Sequence, residues 1–183
     1  MFRNTKKKQI IFIRHAKAFD IALWKGIDYD RPLVPAGEKS NVIMANYLRL
    51  IGLKPDKIVS SPDLRAKSTA IVLASKLGVE HIEYHDSLYS KQSPILRNPF
   101  EEHFKIIKMT PKSCRTLMVV GHNPDLTRVA QSLSGDDTPS MKKGSVIVLS
   151  LPDNMDWKDI RLGSLKFVYY LTPQFLSLEQ LEG

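Results

Sequence analysis

Along this chain, apolar runs of strand length alternate with longer stretches of helical period, and three of the runs stop abruptly at polar residues that suit phosphate. Alternation of this kind selects an α/β architecture, because parallel neighbours in a sheet need a crossover helix between them. QIIFI is the first run. A helix over Pro35–Leu50 follows, with proline acceptable in its first turn, Val42, Ile43, Leu48 and Leu50 as its apolar positions and Gly52 near its end. DKIVSS reads as a second short strand, and Asp63–Leu77 as a helix with Leu64, Ile71, Ala74 and Leu77 inward and Gly78 as its stop. A strand at His81–Tyr84 and a helix within Pro99–Lys108 come next. RTLMVV is a buried strand, Asn123-Pro124-Asp125 opens a helix to about Leu133 closed by Gly135, and SVIVLSL and LKFVYYL add two more strands. The expectation is a three-layer αβα sandwich on a mainly parallel sheet of about six strands. Ser87–Phe100, with two prolines and no clean period, fits no element.

A length of 183 residues suits a single domain over 1–183, and 43% hydrophobic residues supply a sizeable core. The lone Cys114 rules out an internal disulfide framework and a cysteine-ligated metal site, and it fits a reducing compartment. The apolar stretch Ile10–Ile13 is too short for a membrane span or a signal-peptide core, so the sequence reads as soluble and cytoplasmic. A net charge of +8 attracts anions: nucleic acid, acidic protein or phosphorylated substrate. Lys6, Lys7 and Lys8 read as a solvated lead-in to the first strand, since no aromatic interleaves with them to stack on bases.

The three polar strand ends carry the functional signal. QIIFI ends in Arg14 and His15; DKIVSS ends in Ser60 and Ser61, followed by Pro62, Asp63, Leu64 and Arg65; RTLMVV is followed by Gly121, His122, Asn123 and Pro124. Loops at the carboxyl ends of adjacent parallel strands lie side by side and bind ligands. If the three strands are neighbours, two arginines and two histidines converge. Ser61 before Pro62 and Asn123 before Pro124 resemble an N-cap followed by proline at the first helical position, which turns the positive end of a helix toward the loops. Arg65, in the first turn of its helix, could present a planar fork to phosphate oxygens, and Arg14 could do so from the other side. Taken singly, His15 or His122 reads more readily as a structural histidine and Arg65 as a surface charge; taken together they read as a phosphate site.

IRHAKA, SSPDLRAKSTA and VGHNP, in that order, resemble the signatures of the histidine phosphatase superfamily, whose fold is phosphoglycerate mutase-like. DYDRPLVPAGEKS, DSLY, TPSMKKGSVIVLSL and GSLKFVYYLTPQFL are similar to segments of its small SixA-type phosphohistidine phosphatase branch. The resemblance implies that His15 is the nucleophile forming a phosphohistidine intermediate, with Arg14, Arg65 and His122 binding phosphoryl oxygens. It implies a phosphatase that removes phosphoryl groups from protein histidine without cofactor or metal; a small-molecule phosphomonoesterase is the second reading, and a non-catalytic phosphate- or nucleic-acid-binding module the third. Asp28, Arg31 and Asn123 are candidate substrate-binding residues, although Arg31 could instead pair locally with Asp30 to shape the turn before Pro32.

The chain departs from the family pattern at two places. Ala16 stands where glycine is usual after the catalytic histidine, and Ile21 stands where many members carry asparagine. Larger members protonate an oxygen leaving group with a carboxylic acid from mid-chain. Here only Glu101 and Glu102 lie in that region, and they read more readily as helix-surface charge than as that acid. An imidazole leaving group needs less proton assistance than an alkoxide, which favours phosphohistidine over a sugar phosphate. His81, His85 and His103 show no metal-ligand spacing with one another. The implied partner is a phosphorylated protein or small phosphorylated molecule, with no membrane and no nucleic acid.

Overall fold

The computed structural model describes residues 7–89 and 99–179. They form one six-stranded sheet from β1 (Gln9–Arg14), β2 (Lys57–Ser60), β3 (Ile82–Tyr84), β4 (Thr116–Gly121), β5 (Val146–Ser150) and β6 (Lys166–Leu171). The order across the sheet is β3-β2-β4-β1-β5-β6. β1 and β2 both pair in parallel with β4, and β2 with β3, whereas β1–β5 and β5–β6 are antiparallel. The parallel half therefore holds the three signature strands side by side, with β4 between β1 and β2 and Arg14 in register with Gly121. This is the adjacency on which the convergent site depends.

Side chains on the central strands alternate between two cores. Ile10 and Phe12 of β1, with Leu117 and Val119 of β4, face the layer of α3 (Pro99–Lys108) and α4 (Asp125–Ser134). Ile11 and Ile13, with Met118 and Val120, face α1 (Pro35–Leu50), α2 (Leu64–Leu77) and the short α5 (Pro173–Glu179). The period of two is that of any strand, here buried on both faces. Full burial of an Ile or Phe contributes about 1.5–3 kcal/mol, so Arg14 and His15 issue from a firmly held strand.

The helices lie where the sequence places them but are turned differently about their axes. In α2 the buried face is Arg65, Ala66, Thr69, Ala70, Leu73, Ala74 and Leu77, while Leu64 and Ile71 are exposed. In α1 it is Gly37, Asn41, Met44, Ala45 and Leu48, and Leu50 is out in solvent. Small residues on the inner faces let α1 and α2 approach each other and the sheet closely, and the turn of α2 brings Arg65 inward. α2 and α4 both end on glycines in the left-handed conformation, Gly78 and Gly135, as expected.

Two expectations are corrected. The N-caps of α2 and α4 are Asp63 and Pro124, not Ser61 and Asn123, and neither helix start has a side-chain cap bond. Lys8 is not part of a solvated lead-in: Lys7 is exposed and pairs with the exposed Asp153 at 3.5 Å, but Lys8 is buried, ion-paired to Asp156 and set over the Trp157 ring at 5.6 Å. The sequence shows the cationic run but not the distant carboxylates that receive it. Lys6 and most of the unassigned stretch, 90–98, lie outside the described residues. No helix among the described residues is long and apolar enough to cross a membrane.

Candidate active site

At the carboxyl ends of β1, β2 and β4, the chain brings His15, Asp63, Arg65 and His122 into one buried cluster. All four are at most 6% exposed. The rings of His15 and His122 lie 5.1 Å apart, centroid to centroid. The Nδ1 of His15 donates to the carbonyl of its neighbour Ala16 at 2.8 Å. Because a carbonyl only accepts, Nδ1 carries the hydrogen and Nε2 keeps its lone pair. Burial, then the nearby His122, lowers the pKa of His15 to about 3, so the ring is neutral at physiological pH.

The two arginines are fastened from behind. Arg65 donates through Nη1 to the backbone carbonyl of Asp28 at 2.8 Å and through Nη2 to the Asp28 carboxylate at 3.1 Å, and its Nη1 stands 3.1 Å from Asp63. Arg14 donates through Nη1 to the carbonyl of Met141 at 2.8 Å. In both residues the Nε–H is buried and has no hydrogen-bond partner among the described residues. Buried guanidinium donors without acceptors are costly, and an oxyanion is the acceptor that suits them.

Asp63, not anticipated as a site residue, is fully buried and accepts from His122 Nε2 at 2.7 Å and from the Ser61 hydroxyl at 2.7 Å. Burial would raise its pKa, but the His122 hydrogen bond and charge, Arg65 and Ser61 outweigh burial and hold it below the usual carboxylate value. As an ionised acceptor it dictates that Nε2 of His122 carries a hydrogen. Its position two residues before Arg65, on the loop that starts α2, was the available signal. Tyr89 was also missed; its hydroxyl donates to Asp28 at 3.1 Å, and burial, then the bond to Asp28, pushes its pKa to about 12.

The other candidates are placed as struts around this cluster. The Asp28 carboxylate receives Arg65, Tyr89 and, at 3.0 Å, Arg31 Nε, while Arg31 Nη1 reaches the carbonyl of Phe19 at 2.6 Å. The local partner of Arg31 is thus Asp28, not Asp30. Asn123 donates to the Met141 carbonyl at 2.9 Å and accepts from Thr127 at 3.0 Å, tying the β4 loop to the same carbonyl that holds Arg14. Ala16 is fully buried beside Ala18 and Leu33, and its N–H donates to Thr69 at 3.1 Å; Thr69 in turn donates to the Arg65 carbonyl at 2.7 Å. Its methyl therefore sits in apolar packing while its backbone links the His15 loop to α2. Ile21 is half exposed.

Glu101 is exposed on α3. His103 is buried in α3, and His85 stands 3.5 Å from Glu83 near the edge of the sheet. Among the described residues, no group of three or more His, Cys, Asp or Glu side chains is arranged to hold a metal ion.

No protein-family model matches the chain. An uncharacterized protein of the cyanobacterium Picosynechococcus is 31% identical over 144 residues, spanning 77% of this chain and 84% of the relative. Among solved structures, the protein histidine phosphatase SixA complexed with tungstate has a TM-score of 0.76 at 20% identity, covering 92% of this chain and 99% of that one. A putative phosphohistidine phosphatase SixA from Agrobacterium tumefaciens has a TM-score of 0.73 at 24% identity, covering 91% and 99%. A phosphoserine phosphatase from Entamoeba histolytica, in complex with phosphoserine, is more distant, at a TM-score of 0.66 and 14% identity, covering 91% and 98%. The mixed α/β sheet flanked by helices is thus the histidine phosphatase fold.

Proposed function

We propose that this chain, which belongs to one family with the Picosynechococcus protein and has the histidine phosphatase fold, is a phosphatase that hydrolyses phosphohistidine in proteins. The observation that carries the reading is the state of His15: buried, neutral, with Nδ1 spent on Ala16 and Nε2 left with its lone pair, while Arg65 in the same cluster and Arg14 on the same strand end each keep a buried Nε donor without a partner among the described residues. Nε2 attacks phosphorus, a P–N bond forms to His15, and the bond from phosphorus to the substrate imidazole breaks. The leaving imidazole takes up a proton, and water then attacks the phosphorylated His15, releasing inorganic phosphate and restoring the neutral ring.

Each residue has a part that follows from its surroundings. Arg14 and Arg65 compensate charge on the phosphoryl oxygens, where phosphoryl transfer needs preorganised donors more than covalent help. His122, just after β4, stands beside His15 with its ring 5.1 Å away, and its Nε2 hydrogen goes to Asp63, which fixes the orientation of the ring. Asp28 is a carboxylate and a poor neighbour for phosphate. Its role is to hold the Arg65 fork, with Arg31 and Tyr89 closing the network behind it. Asn123 acts in the same manner on Arg14, through the Met141 carbonyl.

The choice of phosphohistidine over an ester rests on the leaving group: among the described residues, no carboxylic acid stands free at the cluster to protonate an alkoxide, since Asp63 is held ionised. Turnover of a phosphohistidine protein, phosphoserine and a sugar phosphate, compared for the wild type and His15→Ala, tests the reading. The phosphohistidine protein should be hydrolysed at least about tenfold faster than either ester, with no turnover in His15→Ala. Preference for an ester would give the site to a small-molecule phosphomonoesterase.

A further inference from the structure

We propose that the groove leading away from Arg14 docks a carboxylate-rich segment of the phosphorylated protein; this rests on the phosphohistidine reading above. The groove has a volume of about 680 Å³ and runs between the first turns of α1, the turn before β5 and the start of α5. Lys17, Lys39, Lys142 and Lys143 line it together with Arg14, and no Asp or Glu does. None of the four lysines forms an ion pair among the described residues, unlike Lys7, Lys8 and Lys57, which are each paired with a carboxylate. Lysines gathered on one concavity without counter-charges repel one another, and an anionic occupant relieves that repulsion.

The backbone beneath these lysines is fixed. The Lys17 carbonyl accepts from Val34 N–H at 3.0 Å, Lys142 N–H donates to the Tyr170 hydroxyl at 3.0 Å, and Gly144 N–H donates to the carbonyls of both Arg14 and His15, at 3.1 and 3.0 Å. The groove is therefore joined directly to the catalytic strand end. Its reach also exceeds what a lone phosphoryl group requires, since Arg14 and Arg65 already serve that group. Its lining includes Ile43 and Pro173 and no aromatic side chain. Apolar contact beside the lysines suits a peptide, whereas a nucleic-acid strand lacks rings on which to stack its bases.

Two phosphohistidine peptides of equal length, one flanked by Asp and Glu and one by Ser and Gln, would be compared on the wild type and on Lys39→Gln/Lys142→Gln/Lys143→Gln. The wild type should favour the acidic peptide by about tenfold in kcat/KM at low salt, a preference that fades as salt rises. The triple variant should lose that preference and turn over free phosphohistidine at the wild-type rate. Equal kcat/KM for the two peptides on the wild type, or a preference that survives in the variant, overturns the proposal. Anisotropy binding of the unphosphorylated acidic peptide separates this from failure of the catalytic reading. Binding by the wild type but not the variant supports the groove even if no peptide is hydrolysed, and no binding by the wild type, or tighter binding of a single-stranded RNA, refutes it.

Discussion

Asp63 places a negative charge within reach of a site proposed to receive a still more negative phosphoryl group, and that arrangement has a cost and a use. The cost is repulsion of substrate, softened by Arg65 at 3.1 Å. The use is control of His122, whose Nε2 hydrogen is held by the carboxylate at 2.7 Å. Asp63→Asn removes the repulsion together with the control. The substitution should lower kcat by about tenfold to a hundredfold, the range for losing one polarised hydrogen bond at a reacting group, while KM stays level or falls. Steady-state kinetics with a pH–rate profile would check this. Unchanged kcat with an unchanged profile would make Asp63 a purely structural residue.

Among the elements, α1 shows how tightly the strand end that carries His15 is gripped. A Cβ built on Gly37 would lie 2.0 Å from the Lys17 carbonyl oxygen, backbone against backbone, so no side-chain rotation can relieve it. Gly37→Ala should therefore push α1 away from the segment that follows His15. A loss of about 2 kcal/mol or more is expected, visible as a fall in Tm of roughly 5 °C, together with reduced kcat. Wild-type Tm and activity in this variant would show that the contact is looser than described. The same region marks what could be read from sequence. The strands, the helix positions and their glycine stops were legible because each depends on local pattern. The facing of α1 and α2 was not, because apolar periodicity gives weight to Leu50, Leu64 and Ile71, whereas close packing favours Gly37, Ala45, Ala66 and Ala70. The convergence of His15, Arg65 and His122 was legible once three strand ends were compared, whereas Arg14, at the first of those ends, turns to the Met141 carbonyl and the lysine-lined groove. Asp63 and Tyr89 were hidden because their significance lies in partners dozens of residues away, on β4 and on the 28–31 turn.

For the whole molecule, keeping His15 neutral in the interior ties stability to pH. The folded chain holds His15 near a pKa of 3 against an ordinary value of 6.5, so between these values the unfolded chain binds the extra proton. Stability conferred above pH 6.5 is thus lost on acidification, by up to roughly 1.4 kcal/mol per pH unit from this residue. Asp63, with its pKa lowered, adds its own loss only as pH falls through the carboxylate range, so across pH 6.5 to 4.5 the difference between wild type and His15→Asn reports the histidine. Urea midpoints measured across that window should fall steadily in the wild type and less steeply in His15→Asn. Parallel slopes in the two proteins would mean that His15 is not the group responsible.

The proposed phosphatase chemistry requires His15 Nε2 to become bonded to phosphorus. The direct measurement is rapid mixing of the protein with a ³²P-labelled phosphohistidine substrate, an alkaline quench that preserves P–N bonds, and mapping of the label by peptide mass spectrometry. A transient, acid-labile phosphoryl group is expected on His15 in the wild type and none in His15→Ala. Turnover of the substrate without labelled protein, or label on another residue that persists in His15→Ala, would contradict it.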